Sequence, residues 1–139
     1  MERRLEYLSP EWIAEAHRRL RADLSPDKMK HLTSSMLTVY TGCPDGQERA
    51  LYYRVQDGVV KELTLAQGGE APAAEFTIIA DYDTFARISR AELKARAALM
   101  SGKMTLKGNL VKALKLAPVV DRLNEVLATI PTVYQAGER

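Results

Sequence analysis

The stretch ADYDTFARISRAELKARAALMSGKMTLKGNLVKALKL, residues 80–116, decides the fold because helix and strand boundaries follow one another in it with almost no connecting sequence. Asp81 predicts the cap of a short helix that passes through Ile88. Ser89-Arg90-Ala91-Glu92 has the capping-box pattern, in which a serine and a glutamate satisfy amides of a first helical turn. This pattern predicts a second helix, and Gly102, which suits the left-handed conformation, predicts its end.

A strand and a third helix complete the stretch. Met104 and Leu106 alternate with polar residues, as side chains do along a short strand. Asn109 predicts the cap of the next helix. Pro118 is expected to interrupt or restart that helix, because proline cannot donate a backbone hydrogen bond. The tail, residues 131–139, is predicted to be frayed.

A further helix is predicted near the start of the chain. Ser9-Pro10-Glu11 combines a serine cap, a proline at the first helical position and an early acid. The helix is expected to run to about Ala22, with an apolar stripe facing a core. The stripe consists of Trp12, Ile13, Ala16 and Leu20. Residues 23–32 fit either a short helical turn or a linker.

Between these helical regions the sequence is typical of strands. The segments SSMLTVYTG, ALYYRVQ, VVKELTLAQ and EFTIIA, which begin at residues 34, 50, 59 and 75, are rich in β-branched and aromatic residues. Asp57-Gly58 predicts a two-residue hairpin turn between the second and third segments. We expect the four segments to form a meander, to which the strand around Met104 adds a fifth member.

Length and composition favour one small intracellular domain. The 139 residues suit a single core, expected at about 9–130. No apolar run is long enough to span a bilayer, and the N-terminus does not resemble a signal peptide. The single Cys43, with only His17 and His31 beside it, offers no disulfide and no zinc ligand set. A reducing, cytoplasmic location is therefore expected.

The positive charge is concentrated in one segment. Residues 87–115 contain eight basic residues and one acidic residue, which gives this segment a net charge of +7. The segment is either an ordinary solvated face or a peripheral contact with an anionic membrane. The residues proposed for membrane contact are Arg87, Lys94, Lys103, Lys107, Lys112 and Lys115. Nucleic acid is not expected as a partner.

Catalytic patterns are not found in the sequence. It has no glycine-rich phosphate loop, no nucleophile elbow and no HExxH motif. His17 and His31 are interpreted as surface histidines, and Cys43 as a solvated loop cysteine without an activating group. Asp81 and Asp83 form a carboxylate pair that helix capping explains. We therefore expect no enzyme activity, cofactor or metal.

The predicted helix 90–101 is short of bulky side chains. Its apolar surface consists mostly of alanines, which either let the helix approach a neighbour closely or leave spare volume against the sheet. Met36, Met100 and Met104 have flexible side chains that adapt to a core or to an apolar ligand. Both interpretations stay open at this point.

Three pieces of the sequence resemble the lipid-binding domain of the sterol carrier protein type 2 family. They are Asp81-Tyr82-Asp83-Thr84-Phe85 after a strand, Met100-Ser101-Gly102-Lys103 at a helix end, and Met104-Thr105-Leu106-Lys107-Gly108-Asn109 leading into Leu114. The resemblance covers about residues 34–127. It implies an α/β fold of the α+β type, in which a five-stranded, mainly antiparallel sheet is covered on one face by helices that enclose an apolar tunnel.

The same resemblance implies a noncatalytic carrier of fatty acyl chains, acyl-CoA, phospholipid or sterol. The residues expected to line the tunnel are Phe76, Ile78, Phe85, Leu93, Met100, Met104, Leu106, Leu110, Leu114, Leu123 and Leu127. The sequence ends Gly137-Glu138-Arg139 and lacks a peroxisomal tripeptide, which favours a free-standing bacterial-type protein. The alternative is a protein-interaction or dimerisation module on the same fold with a filled core.

Overall fold

The computed structural model describes residues 3–67 and 71–134, which form seven strands and four helices. The strands are β1 (Leu5–Glu6), β2 (Ser34–Thr41), β3 (Arg49–Gln56), β4 (Val59–Gln67), β5 (Phe76–Asp81), β6 (Thr105–Lys107) and β7 (Thr132–Val133). The helices are α1 (Pro10–Asp23), α2 (Tyr82–Ser89), α3 (Ala95–Met100) and α4 (Leu110–Leu127). None of the helices in these two ranges has the length and apolar character needed to cross a bilayer.

The five longer strands form one mixed sheet in the order β4-β3-β2-β5-β6. Strands β2, β3 and β4 are successive antiparallel neighbours, and β6 is antiparallel to β5. The predicted meander is wrong for the fourth strand, because β5 runs parallel to β2, with Ile78 opposite Thr38. Phe76 and Ile78 are buried, so this strand takes an interior position between β2 and β6 rather than a place beside β4.

Helix α1 packs against the β4 end of the sheet. The Ser9 side chain accepts a hydrogen bond from the Trp12 amide at 3.2 Å, as the sequence predicted for the cap. Trp12, Ala16 and Leu20 are each at most 1% exposed, and Leu51 of β3 is completely buried. This end of the molecule is a tightly packed core.

Residues 25–31 form one hydrogen-bonded turn and not a regular helix. The Met29 amide donates to the Ser25 carbonyl at 3.1 Å. Lys30 and His31 then adopt positive φ angles, which end the turn. Of the two alternatives for residues 23–32, the structure therefore contains a short turn within a connecting segment.

Two of the three helix caps predicted in residues 80–116 are present. Asp81 accepts from the Thr84 amide at 2.8 Å, and Asn109 accepts from the Lys112 amide at 3.0 Å. The capping box at Ser89 is a wrong prediction, because the Ser89 hydroxyl donates to the Ala86 carbonyl at 3.0 Å and closes α2.

The chain then leaves the helical conformation before α3. Ala91 has a φ of +60°, and the Glu92 amide donates to the Arg87 carbonyl at 2.9 Å, which is typical of a left-handed helix end. The Glu92 carboxylate pairs with Arg90 at 2.9 Å and caps nothing. Helix α3 therefore begins only at Ala95 and is half as long as the sequence predicted.

The C-terminal region is more regular than predicted. Pro118 lies inside α4 without interrupting it, since buried Ala117 and Val119 on either side hold the helix to the core. The predicted fraying after Pro131 is wrong for the residues described: β7 pairs in parallel with β1, with Thr132 opposite Leu5. Residues 135–139 of the predicted tail lie outside the described part of the chain.

Candidate functional site

A cavity lies between the sheet and helices α3 and α4, and it has two adjoining lobes. The outer lobe has a volume of about 90 Å³, and the inner lobe of about 40 Å³. Seven residues line both lobes, namely Met36, Tyr53, Ile78, Ala95, Met104, Val120 and Leu123. The shared residues place the two lobes side by side.

The cavity exists because helix α3 presents small side chains to the sheet. Ala95 lines both lobes with a side chain of one methyl group, whereas Ala98 is completely buried and lines neither. Leu99 is the one large apolar side chain of α3 that lines the outer lobe. Spare volume is found beside Ala95 and close packing at Ala98, so each interpretation of the alanine-rich helix holds for one of these residues.

The outer lobe is almost entirely apolar. Its lining residues with polar side-chain atoms are Ser34, Ser35, Tyr53 and Arg96. Arg96 is exposed, so its guanidinium group reaches water at the edge of this lobe. The remaining wall consists of aliphatic, aromatic and methionine side chains, which suit a hydrocarbon chain.

The inner lobe has a polar end. The Tyr7 and Tyr40 hydroxyls lie 3.0 Å apart and share a hydrogen bond, and the Ser89 hydroxyl lies 2.9 Å from that of Tyr134. Burial raises the pKa of the Tyr7 and Tyr40 phenols well above the usual value, so both stay neutral. No charged residue is among those lining this lobe in the described part of the chain.

Thr38, in the middle of β2, also lines the inner lobe and is only 4% exposed. Its Oγ1 is the one fully buried side-chain oxygen or nitrogen within residues 3–67 and 71–134 that has no hydrogen-bond partner. Its cross-strand neighbours are Leu51 and Ile78, which are both apolar. Most buried polar groups in folded proteins are paired, so this hydroxyl is an exception that needs an explanation.

Eight of the eleven residues predicted to bind lipid line the cavity. Phe76, Leu106 and Leu114 line the outer lobe, Phe85 and Leu127 the inner lobe, and Ile78, Met104 and Leu123 both. Their role in binding stays a prediction.

The other three predicted residues do not line either lobe. Met100 is 69% exposed and Leu110 is 50% exposed. Leu93 precedes the shortened α3 and packs against the core at its side. The reason is that α3 buries Ala95 and Ala98, which leaves Met100 exposed, while Leu110 occupies the first exposed turn of α4.

Many lining residues are absent from the predicted set, and they lie on the strands as well as on α3 and α4. On β2 and β3, Thr38 and Tyr40 share one face with Met36, which the sequence analysis named as suited to a core or an apolar ligand, and with Tyr53 and Val55 of the neighbouring strand. Alternation along β2 was the available signal, since residues two apart in a strand face the same side. The parallel pairing of β2 with β5, which the sequence did not show, places that face beside Ile78.

The basic segment is only partly free. Arg90 pairs with Glu92 and lies over the Tyr134 ring at 4.6 Å, while Lys112 pairs with Glu75. Lys94, Lys103, Lys107 and Lys115 are exposed. They surround the exposed apolar side chains of Met100, Leu110 and Val111 in sequence, at the junctions between α3, β6 and α4.

The remaining candidate groups lie away from the cavity. The prediction of a solvated Cys43 is wrong, because Cys43 is buried and its thiol donates to the Tyr40 carbonyl at 3.7 Å. Burial raises the pKa of the thiol. His17 is half-buried, with Nε2 at 2.9 Å from the Val60 carbonyl oxygen. His31 is exposed, as predicted, and lies between Asp27 and Asp57.

Sterol carrier proteins are among the solved structures with a similar architecture. A crystal structure of sterol carrier protein 2, 20% identical, has a TM-score of 0.77 and matches 90% of this chain and 99% of its own. A protein from Thermus thermophilus described as possibly a sterol carrier protein is 21% identical, with a TM-score of 0.75 over 95% of this chain and 94% of its own.

A third structure, palmitated SCP2L2 from Aedes aegypti, is 24% identical and has a TM-score of 0.57 over 81% of this chain and 95% of its own. At these identities the three likenesses establish the fold. No curated protein matches the sequence. The sequence itself, however, matches the pattern of a known family over residues 16–121, which include the whole sheet and most of the cavity wall. The chain belongs to the SCP-2 sterol transfer family.

Proposed function

We propose that the chain is a noncatalytic lipid carrier of the cytoplasm that holds fatty acyl chains, acyl-CoA, phospholipid or sterol in the cavity. The observation that carries this proposal is the apolar wall of the outer lobe, where Arg96 is the one charged lining residue among those described. The described residues that line the two lobes include tyrosines but no His, Cys, Asp or Glu.

A lipid of this size can bind only if the cavity becomes larger. The outer lobe, at about 90 Å³, is smaller than the roughly 300 to 1,000 Å³ of typical ligand pockets. Helix α3 is the element best placed to move, since it has six residues and buries mainly Ala95 and Ala98. Small side chains contribute little burial free energy, so displacing this helix costs less than displacing α1. The palmitated state of the SCP2L2 relative is consistent with an acyl chain as cargo.

The cavity also favours a carrier over the alternative of an interaction module, because that alternative requires a filled core. In a fully packed interior, an entering lipid chain would find no space between α3 and the sheet. The unfilled space beneath α3 provides room for the chain to begin to enter.

Displacement of a fluorescent fatty acid tests the carrier proposal. We expect saturable binding to the delipidated protein and loss of binding in Ala113→Phe, because Ala113 lines the outer lobe on α4 and a phenyl ring would occupy that space. Ala22→Phe is the matched control, since Ala22 is exposed on α1. The proposal is wrong if the wild-type protein binds none of several chain types, or if both variants bind equally well.

We also infer that the protein delivers its cargo at anionic membranes through the corner formed by α3, β6 and the start of α4. Met100, Val111 and Leu110 are the large apolar side chains exposed there, at 69%, 64% and 50%. Exposed lysines accompany them, and each basic residue near an anionic surface contributes about 1 kcal/mol. Apolar side chains that enter the interface, with cations around them, are typical of peripheral membrane contacts.

Vesicle sedimentation tests this contact. The wild-type protein should sediment with anionic vesicles at low salt and much less with neutral ones. Lys103→Glu with Lys107→Glu should abolish the difference, because both lysines are exposed beside the apolar corner. Lys28→Glu with Lys61→Glu changes the net charge equally at exposed positions elsewhere and should leave sedimentation largely unchanged. Equal losses in the two double variants would show a general charge effect and not a docking corner.

A further inference from the structure

The unpaired hydroxyl of Thr38 is the feature of the cavity that the fold itself does not use. Thr38 is 96% shielded from solvent, and it is the described residue whose buried side-chain oxygen lacks a partner. Tyr7 and Tyr40 bond each other, and Ser89 bonds the Ala86 carbonyl, whereas the Thr38 hydroxyl has no hydrogen-bond partner. Among the described residues that line this lobe, Thr38 is therefore the one whose fully buried side-chain oxygen is left to pair with a bound molecule.

Thr38 lies on the strand face that borders the cavity. Thr38 shares a strand face with Met36 and Tyr40, which also line the inner lobe. Its cross-strand neighbours Leu51 and Ile78 are apolar and supply no polar atom from their side chains. A buried hydroxyl without a partner destabilises the ligand-free protein, so a ligand that pairs with it relieves that penalty.

The inner lobe discriminates against charge. No residue that lines it among those described is charged, so an ionised headgroup placed there would be desolvated without a counterion. The nearest cationic lining residue belongs to the outer lobe, where Arg96 reaches solvent. A carboxylate is therefore better accommodated at Arg96, and a neutral hydroxyl at Thr38.

We propose that the inner lobe is a subsite for the neutral, hydroxyl-bearing end of a lipid, which hydrogen-bonds to Thr38 Oγ1 while the hydrocarbon part fills the outer lobe. The subsite rests on the carrier function proposed above and makes it more specific. Uncharged lipid alcohols bind with the polar end innermost, whereas fatty acids bind in the opposite direction, with the carboxylate at Arg96.

Competition among 1-hexadecanol, hexadecane and palmitate for a bound fluorescent fatty acid tests the subsite. These probes share one hydrocarbon length and differ in the end group. We expect 1-hexadecanol to bind the wild-type protein about 5- to 10-fold more tightly than hexadecane, the amount that one added buried hydrogen bond provides. Thr38→Val, which keeps the side-chain shape, should remove this preference, and Thr38→Ser should retain it.

Palmitate distinguishes the two orientations. Its affinity should be unchanged in Thr38→Val and should fall several-fold in Arg96→Gln, while the affinity of 1-hexadecanol should be insensitive to Arg96→Gln. The subsite is overturned if Thr38→Val keeps the full preference for the alcohol, or if the wild-type protein shows none. Failure of the wild-type protein to bind any of the three probes would instead overturn the carrier function on which the subsite rests. Circular dichroism of each variant verifies that it is folded.

Discussion

The helices that cover the two ends of the sheet differ in length and in how many large apolar side chains they bury. Over β4, α1 buries Trp12 and Leu20 to within 1% of full burial. Over β5 and β6, α3 has six residues, contributes alanines to the core and leaves Met100 69% exposed. Burial free energy scales with apolar area, so α1 holds the fold together and α3 is weakly held. Under the proposed carrier function, stability and ligand access would lie at opposite ends of one sheet.

The largest expected difference between the two ends concerns leucine truncation. Leu20→Ala should lower the free energy of unfolding by about 3 kcal/mol, since it opens a cavity in a packed core. Leu114→Ala, at a half-buried position that already faces the outer lobe, should lower it by about 1 kcal/mol. Urea denaturation measures both values. Equal losses would contradict the division of the sheet into a rigid and a yielding end.

Two glycines with the same backbone conformation provide a second comparison. Gly58 has a φ of +79° and Gly102 of +80°. A Cβ at Gly58 would lie 2.7 Å from the Pro26 Cα, whereas at Gly102 nothing lies within 4 Å. Gly102→Ala should cost only the left-handed penalty of about 1 kcal/mol, and Gly58→Ala at least twice that. Thermal unfolding of the two variants checks the order, which would be reversed if the α3 end were the tighter one.

Unlike the substitutions above, Thr38→Val should stabilise the protein. Because it removes a buried hydroxyl without a partner, the substitution should raise the free energy of unfolding of the ligand-free protein by about 1 kcal/mol. Thr38→Ser keeps the hydroxyl, loses a methyl group and should destabilise. A loss of stability in Thr38→Val, measured by urea denaturation, would mean that the hydroxyl is paired in the folded protein.

The smallest expected effect is the pH dependence of the turn that joins α1 to β2. Hydrogen bonds to Asp27, at 2.7 Å, and to Asp57, at 3.2 Å, raise the pKa of His31 above its usual value of 6.5. A raised folded-state pKa means that this stabilisation is fully present below about pH 6 and is lost as the pH rises through the folded-state pKa.

The Tm difference between the wild-type protein and His31→Gln should therefore shrink from about pH 5.5 to about pH 8.5. The histidine is exposed, so the change should be small. A difference that grows with pH would contradict the assigned ion pairs.

The sequence predicted helix caps correctly where the side chain bonds to a backbone amide only a few residues away. Asp81 and Asn109 cap helices because the amides that they accept from are three residues away. Ser89 was misread because its hydroxyl contacts Tyr134, which is 45 residues away, as well as the Ala86 carbonyl. The parallel pairing of β2 with β5 was likewise not predictable from either strand alone.

The candidate site follows the same division. Alternation and the family resemblance together predicted Ile78, Met104 and Leu123, which lie in the shared wall of the two lobes. They failed to place Met100 and Leu110, because the orientation of a short helix depends on where it begins. Thr38 could not be found at all, since a threonine in a strand is ordinary and its lack of a partner is visible only in three dimensions.

The pairing of β1 with β7 has a consequence for the order of events during synthesis. The Trp12 indole donates to the Thr132 hydroxyl at 3.1 Å, across 120 residues of sequence. Tyr7 packs against the Tyr134 ring, with centroids 4.8 Å apart. During synthesis, the contacts of α1 and of Tyr7 in the inner lobe can therefore be completed only after residue 134 has emerged from the ribosome. Proteolytic cleavage after α4 would remove the same contacts from the core.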